Sequence, residues 1–111
     1  MKFDKEEIIK NINSFYIYTK ENNINMANKY AKALYRIQKI MNDTSEYYSI
    51  LDDMLSSDNA MVKSWACVVC IDIDYKKNDA IEILKELTLS SDEIVSRTAA
   101  MAYYAKCKID E

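Results

Sequence analysis

Cys67 and Cys70, spaced Cys-x-x-Cys, are the first residues of this 111-residue chain that suggest chemistry. A redox pair needs a thiolate, and a thiolate needs an exposed helix N-terminus or a nearby cation. These two cysteines stand instead inside the apolar run Trp65 to Ile71 and read as small buried hydrophobes. A structural zinc takes four soft ligands, and only Cys107 could join the pair, because the chain has no histidine. The acidic pairs Asp52-Asp53 and Asp72-x-Asp74 could do acid–base work or bind calcium. A calcium loop of the EF-hand kind needs a central glycine and a closing acid at its twelfth position. Counted from Asp72 that position is Ile83, and glycine is absent from the chain. The carboxylates therefore read as solvated helix ends. Without glycine there is no phosphate-cradling loop. Without histidine there is no imidazole base for a nucleophile. The expectation is a protein with no catalytic residue, no metal and no cofactor, and so not an enzyme.

Binding chemistry is better represented. Residues 22–42 contain Lys29, Lys32, Arg36 and Lys39 and no acid, whereas residues 43–111 hold seven bases against 14 acids. At about 100° per residue the four bases fall opposite the apolar side of their helix. A single-sign face lacks the i,i+4 partners that neutralise most helix surfaces. It suits an acidic protein partner. It is a poor nucleic-acid footprint on a chain of net charge −3 and pI near 5.0. The nine tyrosines include two adjacent pairs, Tyr47-Tyr48 and Tyr103-Tyr104. Neighbours on a helix cannot share one core face, so one of each pair must lie near the surface, as half-buried core or as binding surface.

Six helices must position these residues. The first runs from about Asp4 to Lys20, with Asp4 and Glu7 in capping-box spacing and Phe3 and Ile8 at the staple positions. Its stripe is Ile8, Ile12, Phe15 and Tyr16. Asn22-Asn23 ends it, since asparagine tolerates the left-handed conformation that glycine usually supplies. The second spans about Ile24 to Met41 over Ala27, Tyr30, Ala31, Leu34, Ile37 and Met41. Asp43 and Glu46 have capping-box spacing for a third helix, with Tyr47, Ile50, Leu51 and Met54 turned inward. The fourth follows Ser56-Ser57-Asp58-Asn59 and is apolar on nearly every side, which marks a central helix. The fifth starts near Asn78-Asp79 and carries Ala80, Ile83, Leu84 and Leu87. The sixth follows Ser90 to Glu93, another capping-box spacing, and carries Ile94, Thr98, Met101, Ala102 and Ala105. The alternating Ile71 to Tyr75 reads as a helix end and turn. The short connections make successive helices antiparallel.

Half of the residues are hydrophobic and 30% are charged, which is globular composition for a single domain. No apolar run approaches the roughly 18–20 residues of a membrane span. The acidic start, Met1 to Glu7, is unlike a signal peptide. An odd cysteine count fits a reducing compartment, so a cytoplasmic location is expected. Richness in Ile, Lys, Asn and Tyr indicates AT-rich coding, as in a low-GC bacterium.

The second half of the chain repeats with a period near 34. Ser56-Ser57-Asp58 returns as Ser90-Ser91-Asp92, and Ile50 to Met54 returns as Ile83 to Leu87. After one gap, Val62 to Cys67 returns as Val95 to Ala100. The pattern of paired leucines, a small polar turn and then Val62-Lys63-Ser64-Trp65-Ala66 resembles HEAT-like repeats of the armadillo type. Lys63 stands where arginine is more usual, and the turn lacks proline. With Ala27-Asn28-Lys29 opening the preceding helix, the layout is similar to a small bacterial HEAT-like family of unknown function. Its members are often encountered beside polymorphic toxins.

The resemblance implies an all-α fold of six helices in three antiparallel pairs, at about 4–42, 44–73 and 78–108, forming one short right-handed α-solenoid. It further implies a non-enzymatic protein-binding module, an immunity protein that neutralises a cognate toxin. HEAT-like stacks also occur among nucleic-acid-binding and repair proteins, the alternative. Repeat stacks usually present their second helices on the concave side, which nominates Lys29, Lys32, Arg36, Lys39, Lys63, Arg97 and Tyr104 as partner-binding residues. An acidic outer surface over residues 43–111 would equally suit a basic nuclease toxin.

Overall fold

A computed structural model describes residues 4–42 and 45–106. Phe3, Asp43 and Cys107, which carry the staple, the second capping-box spacing and the third thiol, lie outside the described residues. Asp4 accepts the Glu7 backbone N–H at 2.8 Å and starts α1 (Lys5–Lys20). Ile8 and Ile12 on that helix are fully buried. The exit from α1 is a Schellman turn: Asn22 is left-handed at φ 59°, its N–H reaches Thr19 O, and Asn23 N–H reaches Tyr18 O. Asn23 then caps α2 (Ile24–Met41) by accepting the Met26 N–H. Ala27, Leu34, Ile37 and Met41 form its buried stripe, as the sequence pattern predicts.

A single 3₁₀ turn (Ser45–Tyr47) leads into α3 (Tyr48–Leu55). Tyr47 is buried and Tyr48 is half-buried, so the adjacent pair does split. Asn59 caps α4 (Ala60–Asp72), its side chain accepting from Met61 and Val62 N–H. Eight residues of α4 are buried, which makes it the central helix. α4 ends in a second Schellman turn with left-handed Asp74 at φ 58° in the position of Asn22. Lys76 is left-handed too, at φ 50°, and it opens α5 (Lys77–Leu87) without any side-chain cap. The expected start at Asn78-Asp79 is therefore late, and neither residue caps the helix. Asp74 is held by the local backbone bonds of its turn, whereas Tyr75 and left-handed Lys76 are held by tertiary contacts. Tyr75 stacks on Tyr48 at 4.0 Å, Tyr75 donates to Asp52 at 2.8 Å, and Lys76 pairs with Asp52 at 2.7 Å.

α6 (Glu93–Lys106) begins after Asp92, whose side chain accepts from Ile94 and Val95 N–H. The cap is thus Asp92 and not Ser90. Ser90 acts one step earlier by accepting the Asp92 N–H, as Ser57 accepts the Asn59 N–H. These matching bonds lie 33 residues apart, where the sequence comparison expects 34 with a gap. The inward face of α6 also differs from expectation. Val95 and Ala99 are buried, while Met101 is 68% exposed and Ala105 is exposed.

The described residues form helices and turns and no strand. α4 packs on α3, α5 and α6, and α1 packs on α2, α4 and α6. The Cα radius of gyration is 13.2 Å. α1 reaches the caps of both α4 and α6: Asn59 donates to Asn13 at 2.9 Å, and Tyr16 donates to Asp92 at 2.5 Å. At the opposite ends, Gln38 of α2 donates to Asp72 of α4, and Lys106 of α6 pairs with Asp72 at 2.8 Å.

Candidate functional site

The chemistry suggested by the cysteines is closed off by burial. Both Cys67 and Cys70 are free and fully buried. Burial pushes the Cys67 thiol up to about 12, and the neighbouring Cys70 adds to the rise. Burial and the charge of Asp52 push Cys70 up to about 11. Both therefore remain protonated at neutral pH, without the thiolate a nucleophile or metal ligand needs. No group of three or more acidic, cysteine or histidine side chains gathers in metal-binding proximity among the described residues.

The acidic pairs are joined to the scaffold. Hydrogen bonds from Lys76 and then Tyr75 hold the Asp52 carboxyl below its ordinary range, which weakens it as a base. Asp53 meets Lys5 at 3.4 Å. Asp72 binds Gln38 and Lys106, and Asp74 sits in the left-handed turn.

An apolar groove of about 220 Å³ opens between α2, α4 and α6. Buried Ile12 of α1, Leu34 of α2, and Met61 and Ser64 of α4 make its floor. Half-buried Phe15, Ala31, Gln38, Trp65, Val68 and Thr98 make its walls, and Tyr35, 56% exposed, stands on its rim. No carboxylate, amine or thiol lines it. Trp65 and Thr98 are 33 residues apart, the spacing of the caps Asn59 and Asp92, so α4 and α6 each contribute one wall residue from the same place after the cap.

The basic residues of α2 lie beside this groove. Lys29, Lys32, Arg36 and Lys39 are all exposed. None of the four has a carboxylate within ion-pair distance among the described residues. Lys39 lies 5.3 Å over the Tyr35 ring and so joins the stripe to the groove rim. Lys29 lies 5.7 Å over Tyr30, which is stacked on Tyr18 of α1.

The other three nominated residues are not gathered with that stripe. At about 100° per residue, Lys63 sits around α4 from all four of that helix's groove residues. Arg97 is exposed on α6 and borders a separate polar hollow with Tyr16, Lys20 and Asp92. Tyr104 is exposed on α6, its ring edge-on to half-buried Tyr103. Tyr35, Trp65 and Val68 are the residues that helix-by-helix reading misses as surface. Trp65 and Val68 belong to a helix apolar all round, and the groove exists only because α2 and α4 part along this line.

No helix among the described residues is long and apolar enough to cross a membrane. Set against known protein families, curated proteins and solved structures, the chain finds no match.

Proposed function

We propose that this protein is a non-enzymatic protein-binding module whose six helices form a short HEAT-like solenoid of three pairs, and that it acts as a bacterial immunity protein against a cognate toxin in the cytoplasm. The observation that carries the binding reading is the α2 stripe. Four exposed cations stand on one helix with no carboxylate partner among the described residues, in a chain whose net charge is negative. Leaving such a field unneutralised is unfavourable within the molecule and favourable for encounter with an acidic surface. The matched caps and the offset of 33 support the repeat reading. The toxin itself rests on the family resemblance of the sequence. Neutralisation would be by occlusion, a preformed helical face covering the toxin's working surface.

The test is co-expression in a bacterial host with the toxin-like product of the adjacent gene. Rescue of growth and a co-purifying complex are expected, and the fourfold reversal Lys29→Glu, Lys32→Glu, Arg36→Glu and Lys39→Glu should abolish both. Neither rescue nor complex with the wild-type chain overturns the immunity reading. Binding to duplex DNA with a steep salt dependence would replace it with the nucleic-acid alternative.

A further inference from the structure

We propose that the groove between α2, α4 and α6 receives an amphipathic helix of the partner, apolar along one side and acidic along the flank that meets α2. This inference rests on the protein-binding reading and specifies its site. The groove holds about 220 Å³, below the roughly 300–1,000 Å³ of small-molecule and cofactor sites, and suits side chains of a docked chain. Its walls are helices, and the described residues offer no strand edge to extend. Recognition by an edge is thus unavailable, and recognition of a helix laid between helices is the mode the walls permit.

Charge selects the occupant's sign. Lys32, Arg36 and Lys39 follow one another at i,i+4 and i,i+3 along the exposed side of α2, and a facing helix bearing Glu or Asp at the same spacing would pair with each in turn. Tyr35 and Trp65 border the same groove, and aromatic side chains of this kind are the usual anchors of an interface. On the opposite wall α6 presents Thr98, beyond which Met101 is exposed, so no second charged row competes.

Trp65 is the only tryptophan of the chain, so its fluorescence reports on the groove. The probe is a helical peptide with Leu at i, i+3, i+4 and i+7 and Glu along both flanks, compared with a twin in which Lys replaces Glu. The acidic peptide is expected to move Trp65 emission to shorter wavelength with micromolar affinity. Added salt should weaken it, and the exposed-site variant Lys32→Glu, Arg36→Glu, Lys39→Glu should weaken it by about tenfold or more. Tyr35→Ala on the rim and Val68→Glu in the wall should also reduce binding, the first serving if the second fails to fold. Equal binding of the two twins, or no response to either, overturns the inference. So does a toxin complex that survives Tyr35→Ala and the triple reversal unchanged, which would leave protein binding intact and move it elsewhere. Failure to bind any toxin while the acidic peptide still binds overturns the immunity reading instead.

Discussion

Asn59 and Asp92 cap α4 and α6 with the same pair of backbone bonds, and Val62 and Ala66 are buried as Val95 and Ala99 are. Beyond that second turn the two helices part. Ile71 of α4 is 7% exposed and its equivalent on α6, Tyr104, is 56% exposed. Val68 is half-buried and its equivalent Met101 is exposed. The start of each helix is set by local bonds that both helices carry. The burial of the rest is set by neighbours: α4 has helices on several sides, whereas α6 has α5, α4 and α1. The neighbours of each helix, more than the likeness of their sequences, decide which apolar residues become core. The same logic explains the apolar groove, which lies where one side of α4 has no close helix against it.

The largest effects should come where the pairs α3–α4 and α5–α6 are alike. Leu51 and Leu84 are equivalent at the offset of 33 and both are fully buried. Leu51→Ala and Leu84→Ala should each cost about 3 kcal/mol in urea unfolding, as fully buried leucines do. A difference between them of more than about 2 kcal/mol, beyond the usual context spread, would break the equivalence of the two pairs.

The next effect tests where they differ. Ile71→Ala should cost roughly 2–3 kcal/mol, because all the side-chain carbons beyond Cβ are lost and a cavity is left. Met101→Ala on the exposed side of α6 should stay within about 0.5 kcal/mol. Equal losses would mean that α6 is covered as α4 is. A smaller effect is expected at the cap: Asn59→Ala should cost about 1 kcal/mol in the same unfolding measurement, and Asn59→Asp should recover most of it.

Legibility in the sequence follows the same division. Helix ends decided by near neighbours were legible: Asp4 at the start of α1, Asn22 in the left-handed exit, the turn after Ile71. The inward face of α6 is not legible, because Ile94, Thr98, Met101, Ala102 and Ala105 form an acceptable helical stripe, yet packing of α5 and α4 selects Val95 and Ala99 for full burial. Lys76 was missed because nothing local favours a left-handed lysine. Its partner Asp52 comes from a different helix and its partner Tyr75 from the turn itself, where Tyr75 also binds Asp52 and stacks on Tyr48. The four bases of α2 were legible as an exposed single-sign face. Their neighbour, the groove, was not, since it depends on how α2 and α4 diverge.

The smallest effect discriminates the two caps by their acidity. Asn59 does not titrate, whereas Asp92 does. Hydrogen bonds from Tyr16 and then from the Val95 backbone hold the Asp92 carboxyl below its ordinary range. A folded value below the unfolded one means that ionised Asp92 stabilises the fold. That contribution is complete above the unfolded carboxylate value of about 3.9. It is lost as pH falls from there through the lowered folded value. Tyr16 is the mirror case, its phenol pushed up because it donates to Asp92. Its contribution is complete below the unfolded value of about 10 and is lost as pH rises through the raised folded one. Asp92→Asn loses the second oxygen, which accepts from Tyr16, but keeps one oxygen to accept from the helix N-terminus, as Asn59 does at α4, so the variant should fold. It should be slightly less stable than the wild type at neutral pH, with the gap narrowing on acidification below about pH 4. Asn59→Asp should introduce the opposite change at α4: an added acid-labile contribution where the wild type has none. Thermal melts of the three proteins from pH 7 to pH 3 measure this. A constant gap between the wild type and Asp92→Asn at every pH would show that the α6 cap works by shape alone and that the two helix starts are equivalent in charge as well as in geometry.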